Sequence, residues 1–256
     1  LPSTGRIIID SSTPNIIIQG SSGTAANMTG TNNIIMGEET AHDITSGGNN
    51  NILGFEAGYN LTTGGHNNIM GYHAAHAGIM TSGNNNIFGR EAGYNMTSGN
   101  NNNLLGYKAG NNMTTGGYNN IMGYKAAFAG VMTGNGHNNI FGFESGYNMT
   151  SGNNNNLFGN NAGQGLTTGA NNNVMGQRAM HDATNTSYNN IFGYEAGKVM
   201  TSGSQNNFFG CEVGLACTSG SNNNIIGFQA MKSSTTGAHN NIMGYRAAYG
   251  GIMTGN

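Results

Sequence analysis

The stretch Asn85-Asn86-Ile87-Phe88-Gly89-Arg90-Glu91-Ala92-Gly93-Tyr94-Asn95-Met96-Thr97-Ser98-Gly99 decides the architecture, because variants of it recur thirteen times at an almost constant step of 17 residues. Each copy of Asn-Asn-Ile/Leu-Met/Phe-Gly closes on a glycine: Gly37, Gly54, Gly71, Gly89, Gly106, Gly123, Gly142, Gly159, Gly176, Gly193, Gly210, Gly227 and Gly244. A period this short marks a repeat architecture, in which a unit too small to bury its own core is stabilised by stacking on its neighbours.

With the closing glycine numbered zero, position −4 is asparagine in every unit: Asn33, Asn50, Asn67, Asn85, Asn102, Asn119, Asn138, Asn155, Asn172, Asn189, Asn206, Asn223 and Asn240. Position −3 is also asparagine except at Ile34. Position −2 is aliphatic, as in Ile52, Ile87 and Val174, with Phe208 the exception, and −1 is Met, Phe, Leu or Ile. This pattern predicts a short strand ended by a residue able to take positive φ. Successive strand side chains face opposite sides, so one of the two apolar columns must look outward. A continuous exposed stripe of that kind is expected to be covered, by another chain or by the loop half of its own repeat.

An aromatic follows the glycine in eight units, among them Phe55, Tyr72, Tyr107 and Tyr245. Position +4 sorts the units into Ala-Gly copies (Ala57-Gly58, Ala92-Gly93) and Ala-Ala or Ala-Met copies (Ala74-Ala75, Ala126-Ala127, Ala179-Met180). Met or Leu at +7 and Thr at +8, then Ser/Thr-Gly, read as a second short extended segment ended by a turn. One such unit per coil predicts an all-β parallel β-solenoid, a β-roll or β-helix of about 13 to 14 coils stacked about 4.8 Å apart, a rod of about 60 Å. Stacked amides then form a ladder through Asn50, Asn67, Asn85, Asn102, Asn119, Asn138, Asn155, Asn172, Asn189, Asn206, Asn223 and Asn240, pairing polar groups taken from water. Few large apolar groups per coil leave a thin core, which points to a homo-oligomer, a parallel trimer or a stacked filament, with the Met/Phe column between chains.

Residues 1–31 form an irregular entry strand and a degenerate first coil, in which Asn15-Ile16-Ile17-Ile18-Gln19-Gly20 copies the strand; residues 32–256 are the repeat solenoid. Leu1-Pro2-Ser3-Thr4-Gly5 matches a sortase pentapeptide out of its working context, and the start at Leu1 suggests a processed product or a fragment. Thr254-Gly255-Asn256 stops at a unit junction with no polar cap, so further protein or other subunits are expected there.

Glycine (45) and asparagine (46) make up over a third of the 256 residues while charged residues are 7%, a composition that would suit a low-complexity tract were the apolar residues not in register. A net charge of −2 without basic runs argues against nucleic acid as a partner, and the lack of a long apolar stretch against membrane insertion. Cys211 and Cys217 replace hydrophobes within one repeat; a disulfide between them stays open.

Charged residues gather at +2, where Glu91 would neighbour Lys108, Lys125 Glu144, and Arg178 Glu195. This reads as a solvated edge with partial pairing rather than as catalytic acids, so no enzyme and no catalytic residue is expected. His66, His137 and His239 read as a surface column shared with Tyr118 and Tyr188. A metal site would want Cys, Asp or Glu beside His73 and His76 and none is suitably grouped, so no metal site and no cofactor is expected. Candidate N-glycan acceptors are Asn60, Asn95, Asn112 and Asn148, with Asn27 and Asn185 completing the six Asn-x-Ser/Thr triplets.

The unit Asn85 to Gly99 resembles the Asn/Gly/Thr-rich repeats of phage and giant-virus tail fibres and, more loosely, the head repeats of trimeric autotransporter adhesins. The resemblance spans residues 32 to 256 and implies parallel trimeric β-rolls that serve as shafts or receptor-binding heads. It implies a non-catalytic structural or adhesive fibre protein, extracellular or on a virion or cell surface, with itself and surface glycans as partners. The alternative is an ice-binding solenoid presenting a threonine array. Against it, Thr81, Thr133 and Thr254 shift to +10 and break the column.

Overall fold

The computed structural model describes residues 6–10, 14–19 and 28–250. The chain is an all-β parallel β-solenoid of about thirteen turns with a repeat of about 17 residues, each turn giving one three-residue strand over positions −3 to −1. Two compact units are formed, Leu1–Lys125 with Val131–Asn135, and Ala126–Gly130 with Gly136–Asn256.

In the first unit, β1 (Arg6–Asp10) and β2 (Asn15–Gln19) make an antiparallel hairpin. β2 lies parallel to β3 (Ile34–Met36) with Ile17 opposite Ile35, so the degenerate copy is a true stave of the stack. Its Gly20 lies outside the described residues, as do the Leu1 pentapeptide, Asn27 and the Thr254 terminus. From β3 the parallel ladder runs through β4 (Asn51–Leu53) and the strands Asn68–Met70, Asn86–Phe88, Asn103–Leu105 and Asn120–Met122. In the second unit the same ladder runs from Asn139–Phe141 to Asn241–Met243. Like positions face like positions at every step.

The −2 column points inward: Ile52, Ile87, Leu104, Ile140 and Phe208 are fully buried. Alanine at +3 and Met or Leu at +7 join it, as Ala57 with Leu61 and Ala92 with Met96. Position +3 is a confined site filled mostly by alanine, with Thr40 and Val213 buried there in two turns, and methionine suits +7 because its unbranched thioether fills irregular space.

The expected second extended segment is not a strand. Only the isolated bridges Leu61↔Met80 and Gly117↔Asn135 occur there among the described residues. Each turn carries positive φ at −5, 0, +2 and +4, as at Asn84 (61°), Gly89 (137°), Glu91 (55°) and Gly93 (56°), and a backbone bent that often cannot stay extended. Its amides still bond from turn to turn, Thr97 N–H donating to Thr114 O at 2.9 Å. At position zero a side chain is excluded outright: a Cβ on Gly89 would sit 2.4 Å from the Gly106 carbonyl oxygen, and on Gly193 2.1 Å from that of Gly210.

The +10 threonines disturb the stack less than their numbering implies. The inserted residues bulge out, Ile79 and Val131 being 62% and 50% exposed, while Met80 and Met132 return to the buried column. Thr81 N–H then donates to Thr97 O at 2.9 Å. Burial of the methionine sets the register, so the extra length is expelled to the surface.

Candidate functional site

A single strand presents two different surfaces. On the inner side Asn102 uses its whole amide: Oδ1 accepts from Asn119 N–H (2.9 Å) and Asn119 Nδ2 (3.2 Å), while Nδ2 donates to Asn85 Oδ1 (3.1 Å) and Gly116 O (2.9 Å). The pattern repeats at Asn50 and Asn85 in the first unit and at Asn155, Asn172, Asn189, Asn206 and Asn223 in the second. Asn67 donates likewise to Ser82 O, and Asn138 to Gly152 O. Asn240, at the last turn described, is half-buried and bonded back to Asn223. On the outer side the −3 amides form a second ladder, Asn86 Nδ2 donating to Asn103 Oδ1 (2.7 Å) and Asn103 Nδ2 to Asn120 Oδ1 (2.6 Å).

Beside that outer ladder lies the −1 column, the face that no part of its own repeat covers. Met36, Met70 and Met122 are exposed in the first unit, and Met175, Phe209, Ile226 and Met243 in the second. Phe141 stacks on Phe158 and Phe192 on Phe209, each pair with centroids 5.0 Å apart and rings within 4° of parallel. Where Met175 falls between Phe158 and Phe192 the smaller side chain leaves a shallow groove, floored by Val174 and rimmed by Asn156 and Asn173. The +1 aromatics make a flanking row, Phe55 on Tyr72 (5.3 Å) and Tyr107 on Tyr124 (5.1 Å). Each unit thus displays an apolar ridge, an amide ladder and an aromatic row.

Comparison with protein-family models, with curated proteins and with solved structures gives no match. The outer face therefore has to be read from its own chemistry.

The +2 column is more enclosed than a solvated edge. Glu91 pairs with Lys108 at 3.1 Å and Glu195 with Arg178 at 2.7 Å, and the Glu195 side chain is only 12% exposed. Residues at +2 and +5 of one turn converge on the carboxylate of the turn before: Gln229 (2.7 Å) and Lys232 (2.5 Å) on Glu212 Oε2, and Asn161 (3.4 Å) and Gln164 (3.0 Å) on Glu144 Oε2. Hydrogen bonds from Lys232 and then Gln229 hold the Glu212 carboxyl below its ordinary value, against the opposing pull of burial. At Glu91 burial pushes upward, but the Lys108 and Arg90 hydrogen bonds and charges together outweigh it.

The same convergence corrects the expectation that no acid accompanies His73 and His76. Glu56 stands one turn before His73, and its Oε2 lies 3.0 Å from His73 Nε2 and 2.7 Å from His76 Nε2. Seventeen residues apart in sequence, Glu56 and His73 are vertical neighbours in the stack.

Of the candidate glycan acceptors, Asn148 and Asn185 are exposed, whereas Asn60, Asn95 and Asn112 are half-buried. Asn60 Nδ2 donates to His76 O and Asn95 Nδ2 to Asn112 Oδ1. His66, His137 and His239 are exposed at the left-handed −5 position, with Tyr118 and Tyr188 in the same column. Both cysteines are free, and burial pushes both thiols up, away from the reactive thiolate. Among the described residues no helix is long and apolar enough to cross a membrane.

Proposed function

We propose that this chain is a non-catalytic structural or adhesive fibre protein, of a virion or cell surface or of an extracellular filament, that works as a homo-oligomer joined through the outward −1 column. The observation that carries this reading is the repeated exposure of large apolar side chains in one column, Met70 and Met122 in the first unit and Met175 and Phe209 in the second. Scattered apolar residues are ordinary on a surface, but a regular ridge of methionine and phenylalanine has the composition of an interface centre. The adhesive element of the proposal rests on the Tyr and Asn columns, which offer stacking faces and amide hydrogen bonds to sugars.

Light scattering after size exclusion, with electron microscopy of the same sample, tests the reading. A trimer or filament is expected, and Phe158→Ser with Phe192→Ser should shift it toward monomer. A wild-type chain that stays monomeric at high concentration would overturn it. The near-continuous threonine column favours ice binding as a second reading, but several of its hydroxyls are already bonded along the stack to carbonyls of the following turn, Thr97 to Thr114 O and Thr201 to Thr218 O, each at 3.2 Å. An ice-recrystallisation assay is expected to show no activity.

A further inference from the structure

We propose that Glu56, His73 and His76 bind one first-row divalent transition-metal ion of the zinc class. The fold supplies the convergence: across turns, side chains at +2 and +5 meet on a +2 carboxylate, as at Glu144 and Glu212. In those two places the groups that meet the carboxylate are amide NH2 groups or an ammonium, whose nitrogens donate hydrogen bonds and have no lone pair to offer a metal. At Glu56 both are imidazoles, which can instead offer lone pairs, so the same scaffold becomes a two-histidine, one-carboxylate donor set.

Three further observations favour an ion over a simple carboxylate–imidazole contact. His73 Nε2 is buried and makes no hydrogen bond, although Glu56 Oε2 lies 3.0 Å away, because the contact is outside hydrogen-bond geometry. A buried ring nitrogen without a partner is costly, and a metal would satisfy it. The one donor atom from each residue lies within 4.8 Å of the others, and tetrahedral zinc holds its ligand atoms about 3.3 Å apart, so small side-chain rotations suffice. Both rings are also held in place, His73 against Tyr72 (3.8 Å) and His76 against Tyr94 (5.2 Å), and the Glu56 and His76 side chains are each 20% exposed, leaving a solvent side for water as a further ligand. Imidazole nitrogen selects for zinc, nickel, cobalt or copper over calcium and magnesium.

Calorimetric titration of zinc chloride into the chelator-treated full chain should show one saturable site per chain. The double variant His73→Asn/His76→Gln recreates the Glu144–Asn161–Gln164 arrangement that the fold already contains, so it should keep its circular dichroism and melting behaviour. Its zinc affinity should fall by more than about 100-fold, beyond the range of outer-shell changes. Glu212→Gln should bind zinc as wild type does. Cobalt should give a visible d–d band with wild type and none with the double variant. No saturable zinc uptake, uptake unchanged by the double substitution, or effective competition by calcium would each overturn the proposal. The oligomer test above is independent of this one.

Discussion

Asn102 and Asn103 are chain neighbours of the same type, stacked on the same kind of residue above and below, and they do different work. Asn102 is shut away from water with its amide bonded to three other residues, while Asn103 lies half-buried in a surface ladder that water can replace. The difference is the side of the pleat, not the amide. A buried amide is held by the cost of leaving its partners unpaired, whereas an exposed one contributes only the small net gain of exchanging water for a neighbour.

The largest effect should come from Asn102→Ala, which removes the acceptor of Asn119 N–H and the donor to the Gly116 carbonyl, although Asn85 Oδ1 keeps the Asn102 backbone N–H and Asn119 Nδ2 keeps Gly117 O. Urea unfolding should show a loss of about 3 kcal/mol or more; a loss below about 1 kcal/mol would erase the distinction between the two columns. Next comes the apolar pair on the same strand: Leu104→Ala should cost about 3 kcal/mol in a fully packed site. Leu105→Ala should barely change the stability of the separated chain but weaken self-association, so comparing unfolding with sedimentation separates the inner from the outer role. For Asn103→Ala about 1 kcal/mol is expected, and a double-mutant cycle with Asn120 should return a coupling near or below that size.

Smallest of all is the third column, the charges at +2. Glu212 has a folded pKa below its ordinary value of 4.5, so the stability it contributes is fully present above that value and is lost as pH falls through the lower folded value. The melting temperature should therefore drop on acidification below the ordinary carboxylate range, and Glu212→Gln should flatten part of that drop in calorimetry. An equally steep profile in the variant would show that this column adds nothing resolvable to the asparagine ladders.

The stacking register was legible from the spacing of Gly89, Gly106 and the other closing glycines, because a residue that must take positive φ beneath a neighbouring carbonyl tolerates no substitute. The alternation of inner and outer columns was legible as well. So was the outward facing of position −1, where methionine and phenylalanine recur: Leu104 at −2 is buried and Leu105 at −1 is not. The Met96-Thr97 segment looked like a strand by its apolar-polar pattern, but the left-handed residues at +2 and +4 include Glu91 and Lys108, types that give no local warning of such a backbone. Glu56, His73 and His76 were hidden for a related reason: metal-ligand spacing is looked for along the chain, and here it runs across it.

Sequence by itself determined the period, the residue types that share a column and the parallel stacking of turns, because each follows from repetition and from the steric demand of glycine. Only the tertiary structure decided where insertions such as Ile79 are expelled and which side chains of successive turns meet at one point. Those outcomes depend on the path of the backbone around each turn, and that path is set by packing against the turns above and below rather than by any single unit.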